Sequence, residues 1–177
     1  MDADQTASMH GPIHRMLSGD HARLDELLKR AAADPAHIAS QPYREFRRGL
    51  LRHIAMEEKV LLPAAQRLNG EQPLEVAARL RLDHGAMAAL LVPTPTPAVI
   101  AALRAILVIH NQLEEGAGGL YETCDLLAGA QAEQIVAQLR NAPDVPAAPF
   151  NDSPKVMPAA RRALARAGYE HLLSEGE

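Results

Sequence analysis

Apolar residues recur along this chain at spacings of three and four, the period of a helix that buries one face. Proline and glycine cut the pattern into lengths. The breaks fall near Asp34-Pro35, Ser40-Gln41-Pro42, Asn69-Gly70 with Pro73, and the run Pro93-Thr94-Pro95-Thr96-Pro97. Between them the pattern predicts four long helices, near 12–33, 43–68, 73–91 and 97–128. Each has proline close to its start, where the missing N–H costs nothing. The inward stripe of the first reads His14, Leu17, His21, Leu24, Leu28, and that of the second Phe46, Leu50, His53, Glu57, Val60, Ala64. The third gives Ala77, Leu80, His84, Met87, Leu91, and the fourth Leu103, Leu107, His110, Glu114, Ala117, Tyr121, Cys124.

Past Leu127 come Gly129, a short helix expected near 130–140, and a segment from Asn141 to Pro158 with five prolines, read as a linker or an irregular wrap. The stretch Ala159 to Leu173, rich in alanine, arginine and leucine, predicts one more short helix. Docking on the bundle is the plain expectation for it; a partner-binding tail or a membrane-surface helix are the alternatives. The fold expected is all-α: an antiparallel up-down four-helix bundle over 10–128 with a C-terminal extension over 129–177.

Composition narrows the picture. With 47% hydrophobic and 23% charged residues among 177, the chain suits one domain with a full core. Aromatics at 3%, and the lack of alternating Val/Ile/Thr runs, argue against sheet classes. A net charge of −4 with dispersed Lys and Arg gives no basis for gripping phosphate backbones, so nucleic acid is not an expected partner. No segment approaches the ~20 apolar residues that span a bilayer, and Met1 to Met9 lack a basic start and apolar stretch. The reading is a cytoplasmic protein with no membrane partner. The single cysteine, Cys124, excludes an intrachain disulfide and any zinc or iron–sulfur site built from cysteines of this chain. A metal must be held by nitrogen and oxygen.

The candidate chemistry lies on the stripes. His21, His53, His84 and His110 fall one to each long helix, and Glu57 and Glu114 follow two of them by four residues, on the same helix face. Burying four imidazoles and two carboxylates among leucines is costly by several kcal/mol unless a cation offsets it. These donors suit iron, manganese or zinc, and two metals sharing carboxylates suit a dinuclear iron or manganese centre, iron first. If each ion takes two histidines, both glutamates bridge and a solvent oxygen completes the bridge, about one position stays open on each octahedral ion for dioxygen, nitric oxide or peroxide. Residue counting puts His21 and His53 at similar heights but leaves His84 and His110 offset by roughly 9 Å at ~1.5 Å per residue. A zinc protease is excluded because no histidine is followed by glutamate, and the Glu-x-x-His pairs of ferritin-like proteins do not occur.

Neighbouring residues have plainer readings. His14 is a hydrogen-bonded core or mouth residue; Glu58, Glu115 and Asp83 are exposed helix residues, with orientation of an imidazole as the alternative. His10, His37 and His171 belong to the surface, and Cys124 is a small buried hydrophobe. Gly116, Gly118 and Gly119 sit inside the fourth predicted helix, where close packing of a neighbour or a narrow gas path beside Glu114 would compensate their cost.

Taken together, Asp20-His21, His53-Ile54-Ala55-Met56-Glu57-Glu58 with Leu61-Leu62-Pro63, Asp83-His84, and His110-Asn111-Gln112-Leu113-Glu114-Glu115 with Leu120-Tyr121 resemble the hemerythrin-like, or HHE cation-binding, domain. The resemblance covers roughly 10–128. It implies an antiparallel four-helix bundle around a non-haem di-iron centre, with the four histidines as terminal ligands and Glu57 and Glu114 as bridges. Oxygen-carrying hemerythrins have five histidines and an aspartate five residues after the last ligand; this chain looks closer to the bacterial four-histidine, two-glutamate branch. Iron–sulfur repair members of that branch usually bear a cysteine-containing N-terminal segment, which this sequence does not contain. The function implied is binding or sensing of dioxygen, nitric oxide or a related small oxidant at a centre of four histidines and two glutamates. The alternatives are an iron-sensing or iron-handling module, a di-iron oxidase or peroxidase, and iron–sulfur repair, so enzymatic turnover is left open. A second copy of the chain and a redox partner are the macromolecular partners considered.

Overall fold

Pro12 opens the first helix, α1 (Pro12–Ala31), as its fixed φ suits an initial turn. The computed structural model describes residues 10–34 and 36–173. The expectations for Met1–Met9 and Pro35 lie outside the described residues. Among those residues every named element is helical, and one isolated bridge pairs Asp34 with His37. No helix is long and apolar enough to cross a membrane among them.

α2 (Ser40–Met56) runs through a π-helical turn (Glu57–Leu61) into α3 (Leu62–Leu68), so the expected helix 43–68 is one rod with a widened turn that starts at Glu57. Such turns recur where a helix must re-aim side chains at a site. Next come α4 (Ala77–Leu90) and α5 (Pro97–Glu115), the latter capped by the Thr96 hydroxyl accepting from the Val99 N–H at 3.2 Å. The expected single helix over 97–128 is corrected. Gly116 ends α5, Gly118 takes φ +72°, and α6 (Leu120–Ala128) starts after it. The three glycines therefore form a turn rather than helix interior, and Gly118 supplies a left-handed conformation that costs other residues 1–2 kcal/mol, roughly. A 3-10 turn (Gly129–Gln131), α7 (Ala132–Arg140) and α8 (Val156–Arg166) complete the elements.

Two apolar clusters make the core. One gathers Leu24, Leu28, Phe46, Leu50, Met87, Leu90, Leu103 and Ile106, with Ala160 and Leu164 of α8 packed in. The other gathers Ile13, Leu17, Met56, Leu61, Leu80, Tyr121, Cys124, Val136 and Leu139. Each of the helices carrying the candidate histidines passes from one cluster to the other through its histidine: Leu17, His21, Leu24 on α1; Leu50, His53, Met56 on α2; Leu80, His84, Met87 on α4. On α5, Ile106 precedes His110, and Leu120 lies beyond it. The polar layer is thus sandwiched between two greasy ones.

Residues 141–155 carry no regular structure, and contacts from the bundle hold them at a few points. Buried Arg47 donates from Nε to the Leu91 carbonyl (2.7 Å) and from Nη1 to the Ala148 carbonyl (2.6 Å), with its guanidinium 4.5 Å from the Phe150 ring centroid. Arg52 donates to the carbonyls of Arg140 and Ala142, and Asp152 accepts from the backbone and hydroxyl of Thr94. Of the two expectations for this segment, the wrap is the one adopted, and α8 docks on the core.

Candidate metal centre

All six predicted donors come together. His21, His53, His84 and His110 are at most 5% exposed, and Glu57 and Glu114 are fully buried. The donors fall into two overlapping groups, His21/His53/Glu57/Glu114 and Glu57/His84/His110/Glu114, in each of which the facing atoms lie within 4.8 Å of one another. A single ion with bonds of about 2.1 Å needs little more than that closing in. The imidazoles pair across helices, with ring centroids 4.5 Å apart for His21 and His53 and 4.9 Å for His84 and His110. The expected offset between the last two is therefore corrected. Six residues, 91–96, join α4 to α5, and a chain extended at ~3.3 Å per residue readily takes up 9 Å.

The carboxylates straddle the pairs. Glu57 sets Oε1 3.4 Å from His53 Nε2 and Oε2 3.1 Å from His84 Nε2. Glu114 sets Oε2 3.3 Å from His21 Nε2 and Oε1 3.1 Å from His110 Nε2. Each glutamate so gives one oxygen to each half. Glu57 Oε2, Glu114 Oε1 and His84 Nε2 are buried without a hydrogen-bond partner, although each lies within ion-pair distance of a neighbour. Their separation suits a hydrogen bond but their angles do not, and lone pairs orphaned in this way fit donors converging on a cation.

Behind the donors runs a circuit of acids. His53 Nδ1 donates to Asp20 (2.9 Å), His84 Nδ1 to Glu58 (2.7 Å), and His21 Nδ1 to Glu115; His110 Nδ1 lies 3.5 Å from Asp83. An Nδ1 committed to a carboxylate leaves the Nε2 lone pair for the centre and fixes the ring. Glu58, Glu115 and Asp83 are thus corrected from exposed residues to orienting partners, Asp83 being fully buried. Asp20 was missed as a partner. Its signal is that an acid adjoins a donor on all four helices, and each such acid serves the histidine of a different helix.

Tyr121 was also missed. Its hydroxyl donates to Glu57 Oε1 at 2.7 Å, and it lies 3.1 Å from Glu114 Oε2, 3.1 Å from His21 Nε2 and 3.3 Å from His53 Nε2. One phenol therefore touches all four donors of one half. The readable signal was a tyrosine on a core stripe, because a buried hydroxyl needs a polar partner. His14, in contrast, donates from Nε2 to the Glu115 carbonyl (3.1 Å) and stacks on His10, outside the donor set.

Charge within the layer is mutually stabilised. Burial disfavours the His53 imidazolium, but the Glu57 charge and the hydrogen bonds to Asp20 and Glu57 outweigh it and push the pKa up to about 10. Burial likewise opposes, and Glu114 and Asp83 override, at His110, also up to about 10. For Glu57, burial would raise the pKa, yet His53 and His84 hold it well below the usual range. Burial and the charges of Glu57 and Glu114 together drive the Tyr121 phenol well above its ordinary value. Burial pushes the Cys124 thiol up to about 12, in keeping with an inert core residue.

A helical core carrying two overlapping histidine–carboxylate groups defines a class: helical proteins whose buried donors could hold cations. Residues 13–117, more than half of the chain, match the model of the hemerythrin HHE cation-binding domain, and the chain belongs to that family. No curated protein and no solved structure matches the chain.

Proposed function

We propose that this chain is a non-haem di-iron protein that binds or senses a small diatomic ligand, dioxygen or nitric oxide. One half would use His21 and His53, the other His84 and His110, with Glu57 and Glu114 bridging. The observation that carries the reading is that both carboxylates give one oxygen to each histidine pair. Manganese or zinc fits the same donors, but the pairing of two bridging carboxylates with four imidazoles favours iron. The bundle proposed is antiparallel over 10–128 with the extension over 129–177. In its support, the order of the apolar clusters along the chain reverses from α1 to α2, again to α4 and again to α5.

When bound by these six residues, a reduced iron pair would supply electrons and an open Lewis-acid position for a diatomic ligand. The chain's own groups do the rest. Asp20, Glu58, Asp83 and Glu115 keep the imidazoles oriented, so no reorganisation is needed when the ligand arrives. Tyr121 holds a proton at Oη beside Glu57, where it can hydrogen-bond a ligand in the His21/His53 half. Leucine, methionine and alanine on either side exclude water and favour a small apolar guest over a polar substrate.

The test is metal analysis with an optical spectrum of protein purified without chelator, before and after reduction and air exposure. Two irons per chain with a ligand-sensitive spectrum support the reading; fewer than two ions of any kind overturn it. Glu57→Ala and Glu114→Ala should each lose most of the metal, and retention of both ions in either variant overturns bridging.

A further inference from the structure

The region matched by the family ends at residue 117, and α8 lies well beyond it. Yet α8 reaches back to the ligand layer. Its C-terminus closes with Gly168 at φ +80°, the Gly168 N–H bonded to the Ala165 carbonyl (3.0 Å) and the Tyr169 N–H to the Leu164 carbonyl (2.8 Å). This is a Schellman cap, which turns the chain sharply and folds the following residue onto the helix. Tyr169 is only 3% exposed and packs with Ala160, Leu164 and Ala167 in the cluster that holds Met87 and Leu90.

There its hydroxyl accepts a hydrogen bond from Arg79 Nη2 at 2.7 Å, and the Arg79 guanidinium lies 5.1 Å from its ring centroid. The same Nη2 sits 3.1 Å from Asp83 Oδ1, while Asp83 Oδ2 faces His110 Nδ1 at 3.5 Å. Asp83 is fully buried and makes no well-aligned hydrogen bond, so its charge leans on Arg79. Arg79, however, keeps 39% of its side chain exposed. A half-solvated arginine drifts between partners unless something holds it, and an exposed ion pair on its own holds weakly. Tyr169 supplies the hold.

We infer that the C-terminal extension is a positioning element of the metal centre: Tyr169 fixes Arg79, Arg79 fixes Asp83, and Asp83 orients His110. This rests on His110 being a ligand. Docking of α8 and occupancy of the His84/His110 half then stabilise each other, since coupling between two events is reciprocal. Tyr169 and Arg79 are positioning residues; neither touches the donor set. The coupling also gives the extension a role as readout, because whatever loosens the centre loosens α8.

Manganese(II), which avoids redox chemistry, is the probe. Hydrogen exchange is followed in full-length protein with and without it, comparing amides of 156–169 with those of α7, which lacks this connection. Manganese should slow exchange across 156–169 by about 5-fold or more beyond any slowing in α7. That excess should vanish in Arg79→Met and shrink in Tyr169→Phe, which keeps the ring but removes the acceptor. Arg79→Met should weaken manganese binding by roughly 10-fold, the lower end for loss of a group behind a ligand, and should have no further effect in an Asp83→Asn background. A parent that binds manganese with equal slowing in both helices overturns the coupling alone, as does an unchanged excess in Arg79→Met. A parent that takes up no metal overturns the ligand reading and the coupling with it.

Discussion

Loading the centre at neutral pH should expel protons, and their number follows from the site. His53 and His110, with pKa values pushed up to about 10 by Glu57 and Glu114, are both imidazolium at pH 7.5 in metal-free protein. Each must give up the proton on Nε2 before that nitrogen can bind an ion. At least two protons per chain should therefore appear in solution on uptake of two ions, since the hydrogen bonds to Glu114 and Glu115 raise the His21 pKa as well, and the product of the two binding constants should rise about 100-fold or more per pH unit from about pH 7 to 9. The sign for stability runs the other way. A folded-state pKa raised above 6.5 contributes stability that is complete below that value and lost as pH rises toward 10. The Tm of metal-free protein should thus fall between pH 6.5 and 10 while metal affinity rises, and the gap between loaded and metal-free Tm should widen. Glu57 acts oppositely: its depressed pKa contributes stability above 4.5 that is lost as pH drops below it. Calorimetric titration with manganese(II) in buffers of different ionisation enthalpy counts the protons. Release of fewer than one, or a metal-free Tm that climbs across the window, refutes the charge pairing deduced for the layer.

Three substitutions probe other features of the fold and site. Tyr121→Phe should keep two ions per chain but bind azide more weakly in the His21/His53 half, because the hydroxyl placed to donate to a bound ligand is gone; an unchanged azide titration counts against that hydrogen bond. Gly118→Ala should cost 1–2 kcal/mol, roughly, by forcing an L side chain into φ +72°, with nothing within 4 Å to add a clash; urea unfolding measures it, and no loss overturns the turn geometry. Arg47→Met removes two charge-assisted bonds to the carbonyls of Leu91 and Ala148 and should cost about 3 kcal/mol. Limited proteolysis should then cut within 141–155 sooner than in the parent, and equal resistance argues that the wrap is held by other contacts.

The stripes were readable because a 3.6-residue period puts every donor on the face that must be buried, and that physics is local. The break at Gly116–Gly119 was not, since Glu114 and Tyr121 remain seven residues apart and keep phase across the turn as they would in an unbroken helix. Counting rise along helices misjudged His84 against His110 because the connection, an irregular stretch from Leu91 to Thr96, has no fixed rise. The start of α4 was misplaced for a related reason: Pro73 suits a first helical turn, yet 73–74 are irregular and 75–76 form a turn before Ala77. Orientation of an imidazole stood as the alternative for Glu58, Asp83 and Glu115, but which histidine each acid serves was not legible, because the partners lie 26 to 94 residues apart, as with Glu58 and His84 or His21 and Glu115, and no local period records such a pairing.

What those acids add is collective. Asp20 adjoins His21 but serves His53, Glu58 adjoins Glu57 but serves His84, Asp83 adjoins His84 but serves His110, and Glu115 adjoins Glu114 but serves His21. The circuit closes around α1, α2 with its π turn, α4 and α5. Rotating any one of these elements therefore displaces a donor and, at the same time, the carboxylate that holds a donor on its neighbour. Misplacing one ring exposes a second to rotation, and the cost of burying the remaining charges without partners rises with each step. The layer should accordingly assemble or fail as a unit, with the two apolar clusters on either side fixing the helices against each other closely enough for the circuit to close.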